Sequence, residues 1–186
     1  MTPPHPVQRL TPAQFAAHAG ALGELLADVV DGGNSLGFLR GLTARAAADW
    51  WRTRTPAVES GALAVWVILD EASGRCTGTV SLAVGDMANG RHRAEIAKLM
   101  VHHSARGRGY GRALLAAAER AAADAGRTLL VLDTETGSPA ETLYAAAGWA
   151  RAGVIPDYAT DPAGTPRPTT LFYKRLARPL AAGQQV

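Results

Sequence analysis

The chain has 186 residues, of which 47% are hydrophobic and 19% are charged, and this composition is typical of one globular domain with its own core. The net charge is only +3 at pH 7 and no basic helix carries interleaved aromatic residues, which argues against a nucleic-acid partner. No apolar run reaches about 18 residues, so the sequence predicts no membrane span.

The N-terminal half predicts helices first and strands afterwards. Residues 1–10 are expected to form a loose arm with a first strand around 7–10. Thr11, Pro12 and Gln14 are typical of a helix start, because they supply a capping threonine, a first-turn proline and the glutamine of a capping box. The apolar face of this helix, which ends at Gly32-Gly33, comprises Phe15, Ala19, Leu22, Leu25, Leu26 and Val29. The further elements predicted here are a helix over 43–54 and strands over 62–69 and 77–84.

The most distinctive segment follows a predicted strand over 94–101 and precedes an alanine-rich helix. It contains three glycines and three arginines within seven residues. Glycine removes the Cβ atoms that would hold a ligand away, and the helix N-terminus offers unpaired amides and a favourable dipole. Arginine adds charge and clasps phosphate with two hydrogen bonds. A phosphate site is therefore predicted at Arg106, Gly107, Arg108, Gly109, Gly111 and Arg112.

Two better-known phosphate motifs do not fit this segment. A P-loop requires a Lys-Ser or Lys-Thr pair, which the chain lacks. A dinucleotide fingerprint requires a third glycine where this chain has Arg112. Asp133 does lie roughly 20 residues further on, where a ribose-binding acid is expected, but the remaining chain is too short for a doubly wound nucleotide fold.

The elements around the glycine segment predict a parallel strand–helix–strand unit. The helix ends at Gly126 and a strand over 128–133 follows, so a right-handed crossover is expected. Before this unit, Asn89-Gly90 favours a hairpin into the strand at 94. The helix stripe comprises Leu114, Ala118, Ala121, Ala122 and Ala125. The remaining predictions are strands over 148–155 and 169–176, separated by a loop over 156–168 that is long enough to line a binding site.

Two separated motifs carry a family resemblance. The loop reads Arg106-x-x-Gly109-x-Gly111, and the later segment 139–149 reads A-x-x-L-Y-x-x-x-G-W from Ala140 to Trp149. In this order they resemble the GCN5-related N-acetyltransferase (GNAT) superfamily, whose loop binds the pyrophosphate of acetyl-CoA. The resemblance implies an α/β fold with a mixed, mostly antiparallel sheet of six to seven strands. It also implies a parallel βαβ pair splayed at the cofactor site, helices on both faces, and one domain over 1–186 with a loose tail over 178–186.

Further residues look like the tabtoxin resistance protein branch of that superfamily, whose members inactivate a small amino-acid-like β-lactam toxin. The chain departs from many family members in one place, since Gly137 stands where they carry an asparagine. The next residue, Ser138, is the candidate that replaces its hydrogen bond to the cofactor. The matching segments are Arg93-Ala94-Glu95, Lys98-Leu99-Met100-Val101, Leu132-Asp133-Thr134-Glu135, Pro168-Thr169-Thr170 and Phe172-Tyr173-Lys174.

Direct transfer of acetyl to an amine needs a base, because an alkyl amine is almost entirely protonated at pH 7. Glu95 and Asp133 are the candidates, and either carboxylate could instead only bind the ammonium group of the acceptor. Tyr144 is the candidate acid that protonates the departing thiolate. The competing structural interpretations are a solvated strand residue for Glu95, a turn cap for Asp133 and core packing for Tyr144.

The remaining site predictions concern the cofactor, the acceptor and metals. Trp50 and Tyr158 are candidates for the acceptor pocket. His102-His103 does not predict a metal site, since adjacent strand residues point to opposite faces and no third ligand has a metal-like spacing. The cofactor contacts implied by the resemblance are Leu99, Met100, Val101, Arg106, Gly107, Arg108, Gly109, Tyr110, Gly111, Arg112 and Ser138.

The expected function is acetyl-CoA-dependent acetylation of the primary amine of a small molecule, with an amino-acid-like antibiotic or toxin as the candidate acceptor. The alternatives are a protein lysine or N-terminal acetyltransferase and a non-catalytic sensor that binds an acyl-CoA. A start without a charged-then-apolar leader predicts a cytoplasmic protein. No metal, nucleic-acid or membrane partner is expected, and the sequence does not predict an oligomeric state.

Overall fold

The computed structural model describes residues 6–177, which form a seven-stranded sheet with the order β1-β2-β3-β4-β5-β7-β6. Only the β4–β5 pair among these strands is parallel, and the other neighbours are antiparallel. This mixed sheet confirms the predicted fold class. The strands are β1 (Gln8–Arg9), β2 (Leu63–Leu69), β3 (Cys76–Val84), β4 (Arg93–Val101), β5 (Leu129–Glu135), β6 (Ala150–Thr160) and β7 (Pro166–Arg175). The tail predicted over 178–186 lies outside the described residues.

Helices cover both faces of the sheet, and each face has its own hydrophobic cluster. The first three helices share a cluster with one face of β2, and the last two pack into a second cluster on the opposite face. Within residues 6–177, none of the helices is both long and apolar enough to span a bilayer. The helices are α1 (Pro12–Asp31), α2 (Ala44–Arg52), α3 (Thr55–Glu59), α4 (Tyr110–Asp124) and α5 (Pro139–Ala146).

Local sequence signals explain where the long helices begin and end. At the start of α1, the Thr11 hydroxyl accepts from the Gln14 amide at 3.3 Å and the Gln14 side chain accepts from the Thr11 amide at 2.9 Å, which is the predicted capping box. At the end of α4, Gly126 takes a φ of +73° and stops the helix. The α1 residues predicted to face the core are all buried: Phe15, Ala19, Leu22, Leu25, Leu26 and Val29.

The loop predicted over 156–168 is wrong, because most of it is strand. β6 continues to Thr160 and β7 starts at Pro166, so the turn covers only 161–165. β6 is an edge strand whose register shifts between Ile155 and Ala159, where Asp157 takes a φ of +50°. Proline at 156 is tolerated there, since a bulged edge strand does not need every main-chain donor.

The hairpin predicted at Asn89-Gly90 is correct only in its outcome. β3 and β4 are antiparallel neighbours, as a hairpin requires. Their connection is longer than a two-residue turn, however, and contains a 3-10 turn at Ala88–Gly90. The Asn-Gly pair therefore reverses the chain through a short helical turn.

The contact between α1 and α2 depends on a glycine. A Cβ atom on Gly23 would lie 2.5 Å from the main-chain nitrogen of Ala48 and 2.6 Å from the carbonyl oxygen of Ala44. These are backbone atoms of a packed helix, so they cannot move aside as a flexible side chain would. The close approach fixes α2, and with it Trp50, against the rest of the fold.

We expect Gly23→Ala to lower the free energy of unfolding by about 1–3 kcal/mol, because overpacking forces the two helices apart. Gly20→Ala is the matched control, since a Cβ there has no neighbour within 4 Å. Alanine favours the helix over glycine, so this control should gain up to about 1 kcal/mol. Urea denaturation of both variants measures the difference, and equal stability would contradict the described packing.

Candidate active site

The loop between β4 and α4 brings the predicted phosphate-binding residues to one helix N-terminus. Gly107 and Gly109 have φ values of +76° and +80°, in the left-handed region that glycine adopts without strain. Gly109 caps α4, and the amides of the first helical turn follow it without intrahelical acceptors. The side chains of Arg106, Arg108 and Arg112 are all exposed around this point. The loop can therefore offer main-chain donors and cationic side chains to one anion.

The two sequence motifs meet where α5 approaches the loop. A Cβ atom on Gly111 would lie 3.3 Å from Cδ2 of Leu143 on α5 and 3.9 Å from Cγ2 of Val101. The glycine in the first motif therefore leaves room for the helix of the second motif. The structure thus gives a physical reason for the occurrence of both motifs in one chain.

A gap opens between β4 and β5 next to this loop. The two strands pair only from Arg93 to Glu95 on β4 and from Leu129 to Val131 on β5. Beyond these pairs β4 continues beside β3, and β5 continues beside β7. Among residues 6–177 no strand fills the space between them, so the main chain of residues 99–101 borders an open slot.

A β-bulge in β4 sets what faces this slot. Thr79 pairs with Met100 and Ser81 pairs with Ala97, so two β4 residues, Lys98 and Leu99, lie opposite one residue of β3. The bulge inverts the side-chain alternation, and the buried Met100 packs with α1 while Leu99 packs on the α4 side. The side chain of Met100 is committed to the core, so its main chain is the part available to a ligand.

The bulge imposes an unusual backbone conformation on a lysine. Lys98 takes a φ of +51°, a region that costs an L-residue about 1–2 kcal/mol. Its ammonium group donates a hydrogen bond of 2.9 Å to the carbonyl oxygen of Leu36. Burial lowers the pKa of Lys98, and the charges of Asp133 and Glu95 oppose that effect. A cation therefore lies beside the two candidate bases.

Glu95 and Asp133 lie close enough to influence each other. Both carboxylates are exposed, and they lie on the sheet face opposite to the inward-facing residues of their strands, such as Ile96 and Leu132. Partial desolvation of its carboxylate and the charge of Asp133 raise the pKa of Glu95, whereas the charges of Lys98 and Arg93 lower it. A carboxylate with a raised pKa holds a proton more readily, as a general base requires.

A short segment bounds the acceptor side of the sheet, the face that carries Glu95 and Asp133. Residues 34–40, which we call the strap, connect α1 to α2. Ser35 Oγ donates to the carbonyl oxygen of Thr160 at 3.2 Å, and the Arg40 amide donates to that of Pro162 at 2.8 Å. The strap therefore runs from the end of α1 to the β6–β7 turn.

Trp50 forms the aromatic wall beside the strap. Its ring lies 5.2 Å from Phe38 in an edge-to-face arrangement, and the Arg54 guanidinium lies 4.8 Å from its centroid. Trp50 is half-buried, whereas Trp51 is fully buried in the core. The structure thus leaves Trp50 available to line a pocket. Tyr158, the other candidate, is 54% exposed on the edge strand β6.

Tyr144 lies on α5 on the other side of the sheet and is 5% exposed. Its ring packs against Trp149 and Phe172, with centroids 5.9 Å apart in each case. Burial and the charge of Asp133 raise the pKa of its hydroxyl above the ordinary value. Tyr144 is thus both a core residue and a protonated group within electrostatic range of Asp133.

A network that the sequence did not reveal supports Tyr144. Glu119 of α4 accepts from the Trp149 indole N–H and from the Lys174 ammonium, both at 2.7 Å. Lys174 also donates to the carbonyl oxygen of Ala147 at 2.8 Å. The network ties α4, β7 and the turn after α5 around the ring of Tyr144. Its members lie far apart in sequence, so spacing could not indicate it.

Ser138 begins α5 without capping it. Its hydroxyl lies 3.1 Å from that of Thr134 on β5, and the helix start has no side-chain cap. The pair joins the start of α5 to the carboxyl end of β5. The residue preceding it, Gly137, takes a φ of +82°, which explains why glycine suits this turn.

The histidine pair corrects one step of the sequence reasoning. β4 ends at Val101, so His102 and His103 are not consecutive strand residues on opposite faces. Their rings lie 4.3 Å apart, and both reach Asp28 of α1. His103 Nδ1 is 2.5 Å and His102 Nε2 is 3.4 Å from Asp28 Oδ1. Asp28 therefore accompanies the pair in space, although no third ligand has a metal-like spacing in the sequence.

Hydrogen bonds account for the contacts of this Asp28–His102–His103 cluster. The Ser104 amide donates to His102 Nδ1, so Nε2 carries the proton and faces the carboxylate. Asp28 also accepts from the main-chain amide of His103 at 3.2 Å. The cluster ties α1 to the chain just before the glycine loop. The expectation that the protein holds no metal stays a prediction.

Comparison with known proteins agrees with this geometry. The sequence profile of the Acetyltransferase (GNAT) family matches residues 42–149, which is more than half of the chain. The match includes α2, the glycine loop, both candidate bases and Tyr144, whereas the strap precedes it.

Solved structures share the fold. The ribosomal-protein-alanine N-acetyltransferase of Brucella melitensis is 24% identical with a TM-score of 0.71, over 92% of this chain and 99% of that chain. The phosphinothricin acetyltransferase of Sinorhizobium meliloti, in complex with acetyl-CoA, is 18% identical with a TM-score of 0.76, over 97% and 96%. The protein yncA of Salmonella typhimurium, solved with its cofactor acetyl-CoA, is 19% identical with a TM-score of 0.73, over 97% and 98%. The chain therefore belongs to the acetyltransferase (GNAT) family and is an acyltransferase enzyme.

Proposed function

We propose that this enzyme transfers the acetyl group of acetyl-CoA to the primary amine of a small molecule in the cytoplasm. An amino-acid-like antibiotic or toxin is the candidate acceptor, in keeping with the resemblance to the tabtoxin resistance branch. We also propose that residues 1–186 constitute one domain of this kind. The observation that carries the proposal is the carboxylate pair Glu95 and Asp133 at the slot between β4 and β5, next to an anion-binding loop.

The residues of the loop fit the diphosphate of acetyl-CoA. Gly107 and Gly109 leave their outer sides open, since a Cβ on either would meet nothing within 4 Å. Exposed arginines surround them and suit a polyanion. The slot beyond the loop lets an extended arm reach the main chain of residues 99–101, where amides can polarise a carbonyl oxygen. Two of the solved structures that share this fold contain acetyl-CoA.

The carboxylates address the protonation of the acceptor. At pH 7 only about one alkyl amine in 2,500 is uncharged, so a base that removes the ammonium proton raises the reactive fraction. Glu95 or Asp133 receives that proton before the neutral nitrogen attacks the acetyl carbon. The carbon–sulfur bond then breaks, and Tyr144 supplies the proton that converts the thiolate to a thiol. The second proton that the nitrogen loses as it becomes an amide restores the Tyr144 hydroxyl.

The strap supports a small acceptor over a peptide. It closes the acceptor side between α1 and the β6–β7 turn, where an extended peptide would need an open groove. The half-buried Trp50 narrows the same side. Protein acetylation and acyl-CoA sensing without transfer are the outcomes that the first experiment below separates from this proposal.

We expect acetyl-CoA to release thiol in the presence of at least one small amine from a panel of amino acids, phosphinothricin, β-lactam amino-acid toxins and aminoglycosides. The variant with Glu95→Gln, Asp133→Asn and Tyr144→Phe should lose turnover yet bind acetyl-CoA normally. Asp124→Asn, which changes an exposed carboxylate at the C-terminal end of α4, should remain active. Thiol release that requires a peptide acceptor would contradict the proposal. The absence of thiol release with every amine of the panel would contradict it as well.

The pH profile of kcat identifies which carboxylate is the base. If Glu95 takes the proton, kcat falls as the pH drops through its raised pKa, and Glu95→Gln lowers kcat by about 100-fold. Asp133→Asn removes a negative neighbour, so the pKa of Glu95 falls and the acidic limb moves to lower pH. An unmoved limb in Asp133→Asn, or an unchanged kcat in Glu95→Gln, would exclude Glu95 as the base.

The loop assignment is tested by CoA binding. Gly109→Val forces a β-branched residue to adopt a φ near +80° in the space above the loop, and we expect affinity to fall by about 100-fold, as for one or two lost hydrogen bonds to a charged group. Gly126→Val is the matched control, with a φ of +73° at the other end of α4. Calorimetry should show normal CoA affinity for the control, and equal affinities for both variants would refute the assignment.

A further inference from the structure

The left-handed conformation of Lys98 indicates that its side chain has a role. The first position of such a bulge is one where glycine is the usual residue, because glycine alone is unstrained there. The φ of Lys98 is +51°, and the bulge itself requires no lysine. The strain therefore directs attention to the contacts of the lysine side chain rather than to its backbone.

The contacts of the Lys98 side chain are with the strap and with α2, on the acceptor side of the sheet. The ammonium nitrogen donates to the carbonyl oxygen of Leu36 at 2.9 Å, and this carbonyl belongs to the strap. The same nitrogen lies 5.8 Å from the Phe38 ring centroid and 5.4 Å from that of Trp50, both within the range of cation–π attraction. One side chain thus joins the bulge, the strap and α2.

The strap passes directly over this ammonium group. Gly37, between the two contacted strap residues, has a φ of +84°, and a Cβ added to it would lie 4.0 Å from the lysine nitrogen. The other strap contacts, at Ser35 and Arg40, hold its two ends to the region of the β6–β7 turn. Lys98 holds the middle.

We propose that Lys98 is a positioning residue that pins the strap over the acceptor side and thereby limits the acceptor to small amines. The size limit rests on the proposed function, since it takes Glu95 and Asp133 as the place where the acceptor amine lies. The pinning itself does not depend on that function. The lysine acts through the strap and needs no contact with the reacting atoms.

The pinning is tested by hydrogen exchange on the full-length protein without any acceptor. Lys98→Met keeps the length of the side chain but removes the charge and the bond to Leu36. We expect amides of the strap to exchange at least about tenfold faster in Lys98→Met, with α4 amides unchanged, and Lys98→Arg to restore slow exchange because a guanidinium keeps both kinds of contact. Unchanged strap exchange in Lys98→Met would overturn the proposal.

Lys98→Gly separates the side chain from the strained backbone. Glycine relieves the positive φ, so this variant should be at least as stable as Lys98→Ala in urea denaturation. Its strap should nevertheless exchange as fast as that of Lys98→Met. Slow strap exchange in Lys98→Gly would show that the bulge alone orders the strap, which would also overturn the proposal.

The size limit is tested with matched acceptors: an amino acid amide and a tripeptide that begins with the same residue. In Lys98→Met we expect KM for the amide to rise about tenfold with KM for acetyl-CoA unchanged, and the tripeptide-to-amide ratio of kcat/KM to increase. An unchanged ratio would overturn the size limit. If the wild-type enzyme accepts neither amine, the proposed small-amine function fails, whereas the exchange experiment still decides whether Lys98 pins the strap.

Discussion

The short parallel contact between β4 and β5 is the constraint on which the rest of the site depends. The strands share three residue pairs and then separate, so each continues with a different antiparallel neighbour. The crossover helix α4 starts at the open end of β4, which places its N-terminus and the glycine loop beside the gap. A candidate anion site, an open slot and two carboxylates thus lie together because of one local departure from regular strand pairing.

The bulge at Lys98 and Leu99 divides the site between the two faces of the sheet. Before the bulge, Ile96 packs on the α4 side of the sheet. After the bulge, Met100 packs on the α1 side. Glu95 and Lys98 therefore face the acceptor side. The buried Tyr144 lies on the opposite side of the sheet, where the charge of Asp133 still raises the pKa of its hydroxyl. The candidate base and the candidate acid therefore lie on opposite faces of the sheet, and the charge of Asp133 acts on both.

The sequence predicted those features that depend on interactions between residues close together in the chain. The capping box at Thr11, the glycine loop and the parallel unit around α4 each follow from contiguous residues, and the structure has them. Contacts between residues far apart in the sequence were not predicted, because no local pattern indicates them. Asp28 joins the histidine pair from α1, Glu119 joins Trp149 from α4, and Lys98 reaches the strap. Pro156 suggested a loop because its tolerance in a strand depends on an edge position and a bulge, which only the assembled sheet provides.

We propose that main-chain amides of the glycine loop bind the diphosphate while the arm beyond it occupies the slot. Amide chemical shifts of the labelled protein, recorded during titration with CoA and separately with pantetheine, test it most directly. CoA should shift residues 106–112 together with 99–101, and pantetheine, which lacks the diphosphate, should shift only the slot residues. Loop amides that respond equally to both ligands, or that stay fixed when CoA saturates the protein, would show that the loop does not bind the diphosphate.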